Sequence, residues 1–212
     1  MNYQWIDLEH SPRRAHFTYF NSLAYPYVGL TVNVDITGCL ARTKREGLPF
    51  FLTVCYCVSR AANAVPELRQ RIREGGVVQF DRCRTSHTVA LEDGTFCYCT
   101  LEDDTLPLEE YLVRGRQAQA EAQARRSIQE DPEEVLDKLF ISSLPWVSYT
   151  ALVQPVPQPA DSHPRISWGK YFLQEGRTLL PVSILCHHAL VDGLHLAAFY
   201  QALDRELAEA AG

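Results

Sequence analysis

The chain has no apolar run long enough to cross a bilayer. The longest, around Leu48 to Val58, falls well short of the roughly 20 residues that a spanning helix needs. Its opening, Met1 to His10, shows neither the basic start nor the apolar core of a secretory leader, so a cytoplasmic protein is expected. Positive charge is scarce as well: 20 Lys+Arg against 26 Asp+Glu give a formal net charge of -6, and Arg42-Thr-Lys-Arg45 is the only short basic cluster. A duplex nucleic-acid binder carries a basic stripe over its footprint, and none is present. Linker-like composition is missing too, so residues 1–212 are expected to form a single domain with a full core. The cysteines number 7, an odd count, in a chain too large to need disulfide staples. Cys55/Cys57 and Cys97/Cys99 are spaced too closely for zinc knuckles, which want about two to four intervening residues. Buried, reduced thiols and no metal site are therefore expected.

What remains is ordinary globular material, 46% hydrophobic and 22% charged. Ser11 before Pro12 reads as a cap and first helical residue for a helix over His16 to Leu23. Thr31 to Ile36 alternates with period two, as a strand does. Helices follow over Cys39 to Glu46 and Phe50 to Ala64. Asp93-Gly94 between His87–Leu91 and Thr95–Thr100 is a strong hairpin signal. Pro107 to Arg126 reads as a long polar helix, Asp131 to Glu134 as a further turn or helix, and Phe140 to Thr150 as a strand broken by a proline. The Pro-rich tract Val153 to His163 cannot pair continuously and is expected to be a loop. Strand patterns return in Pro164–Phe172 and Thr178–Cys186, with a last helix from Gly193 or Leu194 to Leu207. Helices and strands interleave without a regular repeat. The expected fold is α/β, a two-layer sandwich with a large mixed β-sheet packed against helices.

Pro181 to Tyr200 is the most informative stretch. An apolar strand delivers His187 and His188, then Asp192-Gly193 opens a helix. Alternation turns the two imidazoles to opposite sides, so one can enter a pocket while the other packs inside. A neutral imidazole suits proton abstraction from an alcohol near pH 7, which makes His188 the candidate general base. Read structurally instead, His188 is a sheet-edge histidine and Asp192 a helix cap. A metal set of His188, Asp192 and His195 has no stereotyped ligand spacing. Cys186 as a nucleophile would sit about 7 Å from His188, too far for a direct pair.

Cys186-His187-His188-Ala189-Leu190-Val191-Asp192-Gly193-Leu194-His195 resembles the H-H-x-x-x-D-G signature of the chloramphenicol acetyltransferase family. The wider superfamily includes dihydrolipoyl acyltransferase cores and peptide-synthesis condensation domains. Met1-Asn2-Tyr3, Arg13-Arg14-x-His16-Phe17, Val32-x-Val34-Asp35-Ile36-Thr37, Ser142-x-Leu144-Pro145-Trp146-Val147 and Gly169-Lys170-Tyr171 are similar in the same order, over nearly the whole chain. The resemblance implies an O-acetyltransferase with acetyl-CoA as co-substrate, a small-molecule alcohol as acceptor, and a homotrimer with its sites at subunit interfaces. It implies His188 as the base for direct attack on the thioester, Asp192 paired with Arg13, Ser142 as donor to the oxyanion, and Ser167 in place of a water-binding threonine. The acceptor pocket would include Phe20, where the family has a tyrosine, together with Tyr25 and Phe96. Cys97-Tyr98-Cys99 and the Pro-rich tract depart from the family pattern, which leaves chloramphenicol or another small alcohol as acceptor. A second class of function, a non-catalytic trimeric binder of CoA or a small ligand, has no chemical reason to keep a base and an oxyanion donor together.

Overall fold

The computed structural model describes residues 2–101, 104–129 and 132–212. Its centre is a 7-stranded mixed sheet built from β2 (Tyr27–Asp35), β10 (Arg177–His187), β8 (Arg165–Gly169), β7 (Lys138–Leu144), β5 (Arg84–Ala90) and β6 (Phe96–Leu101), in that order. The short β9 (Phe172–Gln174) folds back beside β10. β7 runs parallel to β5 and β8, and every other pair in this sheet is antiparallel. A 3-stranded antiparallel sheet, β1 (Tyr3–Trp5), β4 (Gly76–Phe80) and β3 (Gln70–Arg73), stands beside it. The expected α/β sandwich with a large mixed sheet is therefore the observed architecture.

One face of the large sheet is the core. Val34, Ile166, Trp168, Val182, Ile184, Cys186, Leu139 and Ile141 alternate along their strands and are all buried. They meet α3 (Phe50–Asn63) and α6 (Gly193–Glu209), which also pack on each other. In α6 the buried positions Leu196, Phe199, Leu203 and Leu207 recur at helical spacing. Each such side chain contributes roughly 1.5–3 kcal/mol when fully buried. α3 is buried nearly all round, which explains its continuous apolar sequence. The helices α2 (Thr37–Glu46) and α4 (Leu108–Arg125) flank this pair, and a short α5 (Pro132–Val135) precedes β7. Asp131, from which that turn was expected to start, lies outside the described residues. All seven cysteines are free and buried.

Sequence and structure part company at several ends. The first helix, α1 (Arg14–Asn21), begins after Pro12, with Arg13 rather than Ser11 at its N-cap. Ser11 instead closes a preceding turn, its Oγ accepting the Arg13 amide at 3.2 Å and its carbonyl the Arg14 amide at 3.1 Å. β2 starts at Tyr27, ahead of the clear alternation, because β10 pairs with it as far as His187. β7 stops at Leu144, before Pro145 could interrupt its ladder. Gly94 has the positive φ, 83°, that the hairpin turn requires. The Pro-rich tract forms no strand.

Candidate active site

His188 lies one residue beyond β10, held where the strand ends. Its amide donates to Pro26 O at 2.7 Å, and the Leu190 and Val191 amides both return to His187 O at 3.0 Å. Ala189, Leu190 and Val191 are buried, so the turn is packed rather than loose. The His188 Nδ1–H donates to Val191 O at 2.9 Å. In the neutral imidazole that bond places the proton on Nδ1 and leaves the Nε2 lone pair free. Phe20 from α1 lies flat on the imidazole, with ring centroids 3.8 Å apart and planes 21° from parallel.

His187 points the other way and is 2% exposed. Its Nδ1 accepts the Ala189 amide at 3.3 Å, and burial pushes its pKa down to about 4, so the ring is neutral. Cys186 is buried, and burial pushes its thiol up to about 12, which leaves no thiolate for nucleophilic attack.

Asp192 combines the two readings its sequence position allows. One carboxylate oxygen accepts the Leu194 amide at 3.0 Å and caps α6, while the other takes the Arg13 guanidinium at 2.5 Å. Burial raises its pKa, but the Arg13 hydrogen bond and the Leu194 amide outweigh it, and the carboxyl stays below its ordinary value. The Arg13 and Asp192 side chains are 30% and 35% exposed, so the pair is only partly buried. His195 closes the cap from the other side: its Nδ1 accepts the Asp192 amide at 3.1 Å and also lies 3.1 Å from Asp192 Oδ1, and its Nε2 faces Glu67 at 3.6 Å. His195 is the third residue of this capping box.

Ser142 and Ser167 form a second group. They face each other across β7 and β8, with their hydroxyl oxygens 2.6 Å apart. The same register continues to Ser183 on β10 and Thr31 on β2, whose hydroxyls are also 2.6 Å apart. Tyr149 ties the row together, its hydroxyl donating to Ser167 O at 3.0 Å and lying 3.5 Å from Ser183 Oγ. Beside Ser142 a cavity of about 330 Å³ is lined by Ser86, Thr88, Tyr98, Phe140, Gln154 and Arg165. Arg165 is engaged by both carboxylate oxygens of Asp161 at 2.7 Å, so the cavity carries no free cation there. Phe96 and Tyr25 are 48% and 54% exposed, on β6 and just before β2.

The candidate residues therefore fall into two clusters. Arg13, Phe20, His188 and Asp192 gather at the start of α6, whereas Ser142 and Ser167 sit inside the sheet. Ser142 is level with Ser183, and His188 follows Ser183 along the chain by five residues. At about 3.3 Å per residue and 4.8 Å per strand, His188 and Ser142 of one chain stand roughly 19 Å apart. No single small acceptor spans them. Sequence reading missed Ser183 and Thr31, which strand register brings into line with Ser142, and Tyr149 and Gln154, which the loop after β7 folds back onto the same row. His195 was noticed in the sequence, but its capping role follows only from the turn geometry.

A solved structure described as a chloramphenicol acetyltransferase superposes with a TM-score of 0.86 at 28% identity, covering 97% of this chain and 100% of that one. "Chloramphenicol acetyltransferase 2" of Escherichia coli is 31% identical over 206 residues, with 96% of each chain covered. A chloramphenicol acetyltransferase of Clostridium perfringens is 30% identical over 207 residues, covering 94% of this chain and 92% of its own. The family described as chloramphenicol acetyltransferase matches residues 1–204. The chain belongs to that family, and acetyl transfer from acetyl-CoA is the general reaction that membership brings. Among the described residues, no helix is long and apolar enough to cross a membrane.

Proposed function

We propose that the protein transfers the acetyl group of acetyl-CoA to a hydroxyl of chloramphenicol or a similar small neutral alcohol, with His188 as general base. The observation that carries this reading is the His188 Nδ1–H bond to Val191 O, which frees Nε2 to accept the acceptor's proton. The alcohol oxygen attacks the thioester carbonyl as its proton passes to Nε2. The tetrahedral intermediate then expels the CoA sulfur, and the imidazolium returns the proton to it. No acyl-enzyme is needed. Ser142 donates to the oxyanion, a bond worth more as charge develops than in the ground state. Ser167 holds Ser142 in place until then. Arg13 and Asp192 fix the start of α6 and with it the turn that carries His188.

The separation of His188 from Ser142 supports a site shared between copies: the base of one subunit faces the oxyanion donor of the next, in a homotrimer. The neutral cavity beside Ser142, between Tyr98 and Phe140, suits an aromatic alcohol better than a charged one. Phe20 packs on the base without offering a hydroxyl, and Tyr25 and Phe96 supply further apolar wall. An acceptor of this kind would make the protein an antibiotic-resistance enzyme, and its unpaired buried thiols suit the reducing cytoplasm. The test is release of CoA thiol with a panel of alcohols, chloramphenicol included, under saturating acetyl-CoA. His188→Ala should lower turnover at least about 10²-fold. Turnover unchanged in that variant would remove His188 as the base.

A further inference from the structure

We propose that His195 is a positioning residue for the reaction, acting on His188 through the single peptide group between Val191 and Asp192. The proposal rests on the reading of His188 as the base. The carbonyl of that peptide, Val191 O, accepts the His188 Nδ1–H at 2.9 Å. The amide of the same peptide, Asp192 N–H, donates to His195 Nδ1 at 3.1 Å. The two imidazoles therefore bind opposite ends of one planar unit, so neither end can turn without the other. The far nitrogen of His195 faces Glu67 at 3.6 Å, from the short 3-10 turn Pro66–Arg69. Asp192 Oδ1 lies 3.1 Å from the same Nδ1 and competes for it; the Asp192 amide is bound only in the Nε2–H form of His195, whose proton faces the Glu67 carboxylate.

Two physical effects follow from this geometry. The first is orientation: with its amide held by His195, the peptide plane keeps Val191 O aimed at His188, and the base keeps its Nδ1–H tautomer with Nε2 free. The second is polarisation, since an amide whose N–H is engaged is a stronger acceptor at its C=O. Helix capping alone does not require a histidine here. A Glu or Gln is the usual partner at this position of a capping box. Gln can also accept the Asp192 amide, so it should substitute for His195 in the role proposed.

The test uses histidine-selective 15N spectra of the whole protein, together with steady-state kinetics of His195→Gln and His195→Leu. In the wild-type protein His188 should carry its proton on Nδ1, and His195 on Nε2 with a bare Nδ1. Either ring in the opposite tautomer overturns the proposal, and this reading needs no variant to fold. His195→Leu should allow the Nε2–H tautomer of His188 and lower kcat about tenfold with little change in either KM, because only the base is affected. His195→Gln should restore the tautomer and most of kcat. A His195→Leu protein that melts earlier but keeps kcat and the His188 tautomer would show a cap and nothing more. If instead His188→Ala retained full turnover while the tautomers were as stated, the base reading would fail and the hydrogen-bonded linkage would stand.

Discussion

Asp192 joins three jobs in one residue, and substitution can separate them. Its carboxylate caps α6 through the Leu194 amide and binds Arg13, while its backbone amide binds His195. Removing a cap side chain costs about 1 kcal/mol. Breaking a fully buried ion pair costs roughly 3–5 kcal/mol, and an exposed one about 0–1. With the two side chains 30% and 35% exposed, the Arg13–Asp192 pair should lie between these limits, at about 1–2 kcal/mol. Asp192→Asn keeps an oxygen for the cap and loses the charge, so it should cost about 1–2 kcal/mol, while Asp192→Ala should cost about 2–3. Arg13→Ala should match Asp192→Asn. In a double-mutant cycle the Arg13→Ala/Asp192→Asn protein should cost little more than either single change, a coupling of about 1–2 kcal/mol. The assay is urea unfolding at fixed protein concentration, since assembly would otherwise shift the midpoint. Additive losses in the cycle would show that the pair contributes nothing. An Asn variant as unstable as the Ala variant would show that the cap, as assigned, is not there.

Three further outcomes follow from the same geometry. Ser142→Ala should lower kcat by up to the roughly 2.7–4 kcal/mol of a lost oxyanion donor while leaving both KM values nearly unchanged, and an unchanged kcat would remove it from the transition state. Phe20→Tyr should raise kcat/KM for chloramphenicol by adding a hydroxyl beside the base, and a variant no better than the parent would place Phe20 outside the acceptor pocket. Burial holds His87 and His187 neutral with pKa values of about 4, below the unfolded value of about 6.5. The unfolded chain therefore takes up protons first, and stability present above pH 6.5 should be lost as pH falls toward 4, by up to about 3 kcal/mol per histidine. Denaturant midpoints that stay level between pH 7 and 4.5 would contradict that account.

The turn that carries His188 was legible because one continuous segment holds all its parts: an apolar strand, two histidines and an Asp-Gly helix start. The Asp93-Gly94 hairpin was legible for the same local reason. What the sequence hid depends on distant partners. β1 and β3 are three and four residues long, and Gln-Arg-Ile-Arg carries no strand signal until β4 pairs with it. Arg71 within it is fully buried, its guanidinium met by the carbonyls of Leu68, Gln70 and Lys138, an arrangement that no local pattern announces. Ser142 and Ser167 look like plain strand residues until the β7–β8 register sets them side by side. Arg13 and Asp192 are 179 positions apart, and only the resemblance to a family suggested that they meet. The distance between His188 and Ser142 emerged from topology alone.

That distance makes the shared site directly testable by complementation. His188→Ala and Ser142→Ala chains, each strongly impaired alone, are unfolded together in equal amounts and allowed to reassemble. If the base of one subunit works with the serine of the next, every mixed trimer holds one intact site, and the mixture should recover about a quarter of wild-type specific activity. A mixture no more active than its two parents, with mixed trimers shown to be present, would mean that His188 and Ser142 never serve the same acceptor across an interface.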